Sequence, residues 1–97
     1  MLAYFRKQLR ARGAVVLKLH GSSMQMPGLP DLLCLYRGSY TWIELKVKGQ
    51  DLSKIQEHRA KELREAGATV EVFYARGDDW KGRVNELIGW CTPYTNS

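Results

Sequence analysis

No apolar run in this chain approaches the roughly 18–20 residues that a helical membrane span requires. The start, Met1-Leu2-Ala3-Tyr4-Phe5-Arg6, lacks a continuous apolar stretch, so no secretory leader is expected there. Cysteine is scarce: Cys34 and Cys91 form no CxxC pair and have no metal-ligand spacing, which excludes a disulfide scaffold and a zinc finger. A single disulfide between them stays open, with a reducing cytoplasm as the simpler reading. Neither GxGxxG nor GxxxxGK[ST] occurs, so Gly28 belongs to no phosphate-binding loop of those types. There is no internal repeat and no low-complexity tract. Acidic residues are missing altogether from the first thirty positions.

What is present suits a small globular domain. Ninety-seven residues, 44% of them hydrophobic, make one domain over 1–97 with a small core. The formal net charge is +5. Arg6, Lys7, Arg10, Arg12 and Lys18 supply all of that excess, because basic and acidic residues cancel from position 31 onward. Such a patch attracts polyanions and favours nucleic acid. A solvated helix with a basic polar face explains it equally well.

Periodicity gives the element order. Leu2, Phe5 and Leu9 recur at helical spacing, with Arg6, Lys7 and Arg10 opposite, so residues 2–12 read as a helix stopped by Gly13. Residues 14–20 are β-branched and apolar and read as a strand. Residues 21–30 form a loop broken by Pro27, Gly28 and Pro30. Residues 32–37 and 40–48 are two more strands, joined at Gly38-Ser39 as a hairpin turn with glycine first. Residues 52–66, rich in Lys, Glu, Arg and Ala, make the strongest helix, and Gly67 stops it. A strand over 69–75 and a weaker helix over 78–90 follow, and the tail 91–97 is expected to fray. The order α-β-β-β-α-β-α predicts an α/β fold, a mixed sheet flanked by helices.

With Gly38-Ser39 as the turn, Asp31 falls opposite Lys46 and Leu33 opposite Glu44. Asp31, Glu44 and Lys46 then share one face, with Glu44 the diagonal neighbour of Asp31 at roughly 7–8 Å. Ile43, Leu45 and Val47 face the core with Leu32 and Cys34. A slip of one residue would bury Glu44 and Lys46 in that core. The three charges are open to a bland reading, an ion pair on a half-exposed strand. Leu33, Leu35 and Trp42 on the same face argue for a partly covered surface, where charges are costly unless something binds. Two carboxylates with backbone and water oxygens suit a hard cation such as Mg²⁺.

Pro30-Asp31 followed by Glu44-Leu45-Lys46 resembles the PD-(D/E)xK nuclease signature. Lys18-Leu19-His20-Gly21-Ser22, Gly28-Leu29-Pro30-Asp31 and Ser53-x-x-Gln56 extend the likeness to the virus-type replication-repair nuclease (VRR-NUC) domain, in its small stand-alone phage or prophage form. The resemblance covers roughly residues 5–80. It implies a restriction-endonuclease-like core with Asp31, Glu44 and the Leu45 carbonyl as ligands of Mg²⁺ or Mn²⁺. It also implies that Lys46 positions or deprotonates the attacking water, and that Gln56 points from its helix toward the site. A metal-dependent DNA endonuclease follows, selective for branched DNA such as Holliday junctions, working as a homodimer in the cytoplasm of a bacterial host. A duplex, flap or restriction-type nuclease is the alternative within enzymes, and an inactive DNA-binding module the alternative outside them.

Several residues carry two readings. Ser53 and Gln56 also spell a capping box. Lys18, His20, Ser22, Arg6 and Arg10 are candidates for DNA contact, against a sheet-capping role for His20 and plain exposure for the cations. His58 is expected to be inert. The family's usual acid in the first helix has no counterpart here: either that helix is abbreviated at its start or Gln8 takes a weaker, water-mediated part, and the number of metal ions stays open. Trp80, Ile88, Trp90 and Tyr94 are more apolar surface than a small core needs, fitting either a dimer interface or packing on the sheet.

Overall fold

The computed structural model describes residues 2–19, 26–47, 49–75 and 80–91. In chain order they form α1 (Leu2–Ala11), β1 (Val15–Lys18), β2 (Leu32–Tyr36), β3 (Ser39–Val47), α2 (Lys54–Glu65), β4 (Thr69–Ala75) and α3 (Trp80–Cys91). The four strands make one mixed sheet in the order β1-β2-β3-β4. β1 and β2 pair antiparallel, as do β2 and β3, while β3 and β4 run parallel. A parallel pair needs a crossover, and α2 makes it. None of the described helices is long and apolar enough to cross a membrane.

Alternation along the strands sorts the two faces. Val16, Leu32, Cys34, Tyr36, Ile43 and Phe73 bury one face against Phe5 and Leu9 of α1 and Val84, Ile88 and Cys91 of α3. Phe5 and Leu9 are one helical turn apart, as the 3.6-residue period requires. The other face carries Leu33, Trp42, Glu44 and Val70, with α2 across it. Ala60 of α2 is buried, and the Arg64 guanidinium donates to the Val70 carbonyl at 2.7 Å.

The hairpin turns one residue earlier than expected. Its two central residues are Arg37 and Gly38, at φ 48° and 83°, the double positive-φ geometry of a type I′ turn. Leu32 therefore faces Ile43, Leu33 faces Trp42 and Leu35 faces Tyr40. Moving the turn by one residue moves every partner by two, so the faces are preserved while the opposing pairs change. Asp31 is not opposite Lys46; one step beyond the Leu32–Ile43 pair sets it across from Glu44. This register matches Leu33 with Trp42 instead of with a carboxylate. Its cost is a left-handed Arg37, whose guanidinium lies 5.4 Å from the Tyr36 ring centre.

Three further expectations change. Val47 is 47% exposed, not core, because it ends β3 beyond the reach of β2. Cys91 is no frayed tail residue: it closes α3 and is buried, following Val84 and Ile88 on one helix face. The supposed apolar surplus also shrinks. Ile88 is fully buried, and Trp80 meets Tyr4 edge-on at 5.6 Å beside the core. Trp90 is 79% exposed, and Tyr94 lies outside the described residues.

Candidate active site

Asp31 is stitched to both neighbouring strands. Buried Pro30 precedes it and fixes the approach of the chain. Its backbone carbonyl accepts from the Leu19 N–H at 2.9 Å, and its carboxylate accepts from the Leu45 N–H at 2.7 Å. A side-chain oxygen thus takes a β3 amide just where the β2–β3 ladder ends.

Glu44 sits on the same face of β3 and is only 3% exposed. Lys46, two residues on, brings its Nζ to 3.5 Å from Glu44 Oε1 and is itself largely buried. From α2, Gln56 Nε2 donates to the same oxygen at 3.4 Å. The Gln56 Oε1 accepts from the Ser53 N–H at 2.9 Å, and the Gln56 N–H donates to Ser53 Oγ at 3.2 Å. The capping box and the contact with Glu44 are both present, made by opposite ends of one amide.

Burial pushes the Glu44 carboxyl up to about 7, assisted by the charge of Asp31 and a hydrogen bond with it, and opposed by Lys46. Glu44 thus retains a proton toward neutrality that a cation can replace. The oxygens of the two carboxylates are hard donors, suited to Mg²⁺ or Mn²⁺ with water completing the shell. Among the described residues no third His, Cys, Asp or Glu joins them. The donor set therefore fits a hard divalent ion held by two carboxylates. Leu45 enters the site through its N–H to Asp31.

The remaining candidates are dispersed. Lys18 pairs with Leu32 and shares that residue's face, the reverse of the one bearing Glu44. Arg10 is exposed in the last turn of α1. Arg6 is half-buried, and its Nε has no hydrogen-bond partner among the described residues. Gln8 is half-buried on α1. His20 and Ser22 lie outside the described residues. His58 is exposed, 3.9 Å from the Glu62 carboxylate. A cleft of about 590 Å³ lined by Tyr40, Trp42, Gly67, Thr69 and Trp90 lies toward the hairpin end and includes neither carboxylate.

Arg59 and Ile55, neither singled out from the sequence, bear on the site. Arg59 Nε donates to the Pro27 carbonyl at 3.1 Å, and Gly28 lies directly against Ile55 of α2. Spacing places Ile55 and Arg59 with Gln56 on one side of the helix, but it does not report the backbone carbonyl that Arg59 meets.

A mixed sheet between helices, with Pro-Asp opening one strand and Glu-x-Lys in the next, is the architecture of a PD-(D/E)xK-type nuclease core. No family model matches the sequence, and no curated protein does. Among solved structures, the fold is similar to a VRR_NUC domain: 31% identity, TM-score 0.65, covering 90% of this chain and 88% of the other. The chain belongs to the VRR-NUC family and is a nuclease domain.

Proposed function

We propose that this chain is a single-domain, divalent-metal-dependent DNA endonuclease that prefers branched DNA and acts as a homodimer in the cytoplasm of a bacterial host. The observation that carries the metal dependence is the adjoining pair Asp31 and Glu44, with the Glu44 carboxyl raised by burial and by its neighbour and Lys46 3.5 Å from it. Asp31 and Glu44 would hold Mg²⁺ or Mn²⁺, with the Leu45 carbonyl as a further oxygen. When bound, the ion polarises the phosphoryl oxygen and lowers the pKa of its water.

The chain's own groups do the rest. The Leu45 N–H fixes the Asp31 carboxylate, and Gln56 and Lys46 fix that of Glu44. The Lys46 ammonium places positive charge where negative charge builds on the phosphate, and it orients the attacking water. Lys18, Arg6 and Arg10, with His20 and Ser22, are the proposed contacts to the DNA backbone. The basic excess in the first thirty residues supports a polyanionic substrate. Nothing in the sequence marks a base-reading element, which favours recognition of DNA shape over sequence.

The test is cleavage of a labelled four-way junction beside matched duplex, flap and single-stranded DNA, with Mg²⁺, Mn²⁺ or EDTA. Paired nicks near the junction that need metal are expected, from a protein that sizes as a dimer at micromolar concentration. Equal cutting of plain duplex or flap ends would replace the junction preference with a general nuclease. Tight binding without cutting of any substrate would leave a DNA-binding module.

A further inference from the structure

The segment that delivers Asp31 is held by α2. Residues 26–31 lead into β2, and the Leu29 N–H donates to the Met26 carbonyl at 3.4 Å to close a turn. Gly28 within it has φ +80°, and a Cβ there would stand 2.6 Å from the Ile55 carbonyl oxygen. The turn's backbone therefore lies against the first turn of α2, with room only for glycine. One turn further along, Arg59 Nε donates to the Pro27 carbonyl at 3.1 Å, while its Nη1 bonds the Glu62 carboxylate.

The burial of Arg59 is the telling feature. Its side chain is 13% exposed, on a helix whose Glu57, His58, Lys61 and Glu62 are all exposed. A guanidinium withdrawn from water needs its donors satisfied, and the Pro27 carbonyl takes one of them. Three residues separate Pro27 from Asp31, and one is buried Pro30, so the connection has little slack. The same face of α2 holds Glu44 through Gln56. One helix thus holds the approach to Asp31 with Arg59 and Glu44 with Gln56.

We propose that Arg59 is a positioning residue: by seating Pro27 against α2 it sets Asp31 in place against Glu44, and so sets the affinity of the pair for a divalent cation. The inference rests on the metal-site reading above. Outer groups that orient ligands commonly change metal affinity by about 10–100-fold when removed.

The test compares wild type, Arg59→Met and Arg59→Lys by three readouts: Mn²⁺ titration, the thermal midpoint, and hydrogen exchange of the Leu45 amide, which reports directly on its bond to Asp31. Arg59→Met keeps an apolar stem of similar length and removes every donor. It is expected to bind Mn²⁺ about tenfold or more weakly and to exchange the Leu45 amide faster, with the midpoint moved by only a few degrees. Arg59→Lys, which keeps the charge but not the fork, is expected to restore neither, and it decides the matter should Arg59→Met fail to fold. Unchanged Mn²⁺ affinity and Leu45 exchange in a folded variant would overturn the proposal, as would losses that merely track unfolding. Wild type that binds no Mn²⁺ would overturn the metal-site reading itself; the positioning of Asp31 would then be judged on Leu45 exchange alone.

Discussion

Gln56 reaches the buried carboxylate of Glu44 at 3.4 Å with the same side chain that closes the N-terminal cap of α2. The start of a helix and the setting of a site carboxylate are therefore one hydrogen-bonded unit. This separates two substitutions that look alike in sequence. Ser53→Ala removes a cap and is expected to cost about 1 kcal/mol, with a small effect on cleavage. Gln56→Ala should cost a similar amount and also slow cleavage about tenfold or more. Urea midpoints and single-turnover rates measured on both variants check the split.

The raised Glu44 carboxyl makes metal-free stability depend on pH. An unfolded Glu releases its proton near 4.5, whereas folded Glu44 keeps it to about 7. Between those values the folded state binds more protons, so stability falls as pH rises through this window and levels off above it. Urea unfolding in EDTA at pH 5.5 and 7.5 is expected to show wild type losing ground to Glu44→Gln at the higher pH. A difference that does not change with pH would contradict the raised Glu44 carboxyl.

The register of the hairpin is testable at its turn. Arg37 occupies a left-handed conformation that asparagine adopts more easily. Arg37→Asn is expected to raise stability by roughly 0.5 kcal/mol, and Gly38→Ala to lower it by about 1 kcal/mol or more. Denaturant titration reads both. A turn centred on Gly38-Ser39 would give no gain at Arg37.

Both cysteines are free thiols inside the core, and burial raises them, Cys34 to about 11 and Cys91 to about 12. The thiolate is the reactive form. Neither should react appreciably with a thiol reagent at pH 8 in the folded protein, and both should react once it is unfolded. Mass spectrometry of the labelled protein gives the count.

Much of this was legible in the sequence, for identifiable reasons. The strand at residues 69–75 was read correctly; so was the grouping of Asp31, Glu44 and Lys46 on one face, because side chains alternate with period two and that parity survives an error in turn placement. The opposing partners were misread because either residue beside Gly38 can share a two-residue turn, and local propensity favours Ser39 over Arg37. The pairing of Leu33 with Trp42 decides the register, and that is a cross-strand effect. Cys91 looked like tail because the residues that follow it are polar, yet positions 84, 88 and 91 mark one apolar face. Arg59 was invisible for a different reason: its partner, the Pro27 carbonyl, lies 32 positions away in sequence, and no local pattern reports a backbone acceptor.

Whether Asp31, Glu44 and Lys46 form a metal-dependent nucleolytic site is decided by one comparison. It is the single-turnover cleavage rate of a labelled four-way junction in Mg²⁺ by wild type and by Lys46→Ala, with folding checked by circular dichroism. Wild type is expected to cut only with metal, and a folded Lys46→Ala to cut about a hundredfold or more slowly. Equal rates in the two proteins would contradict such a site.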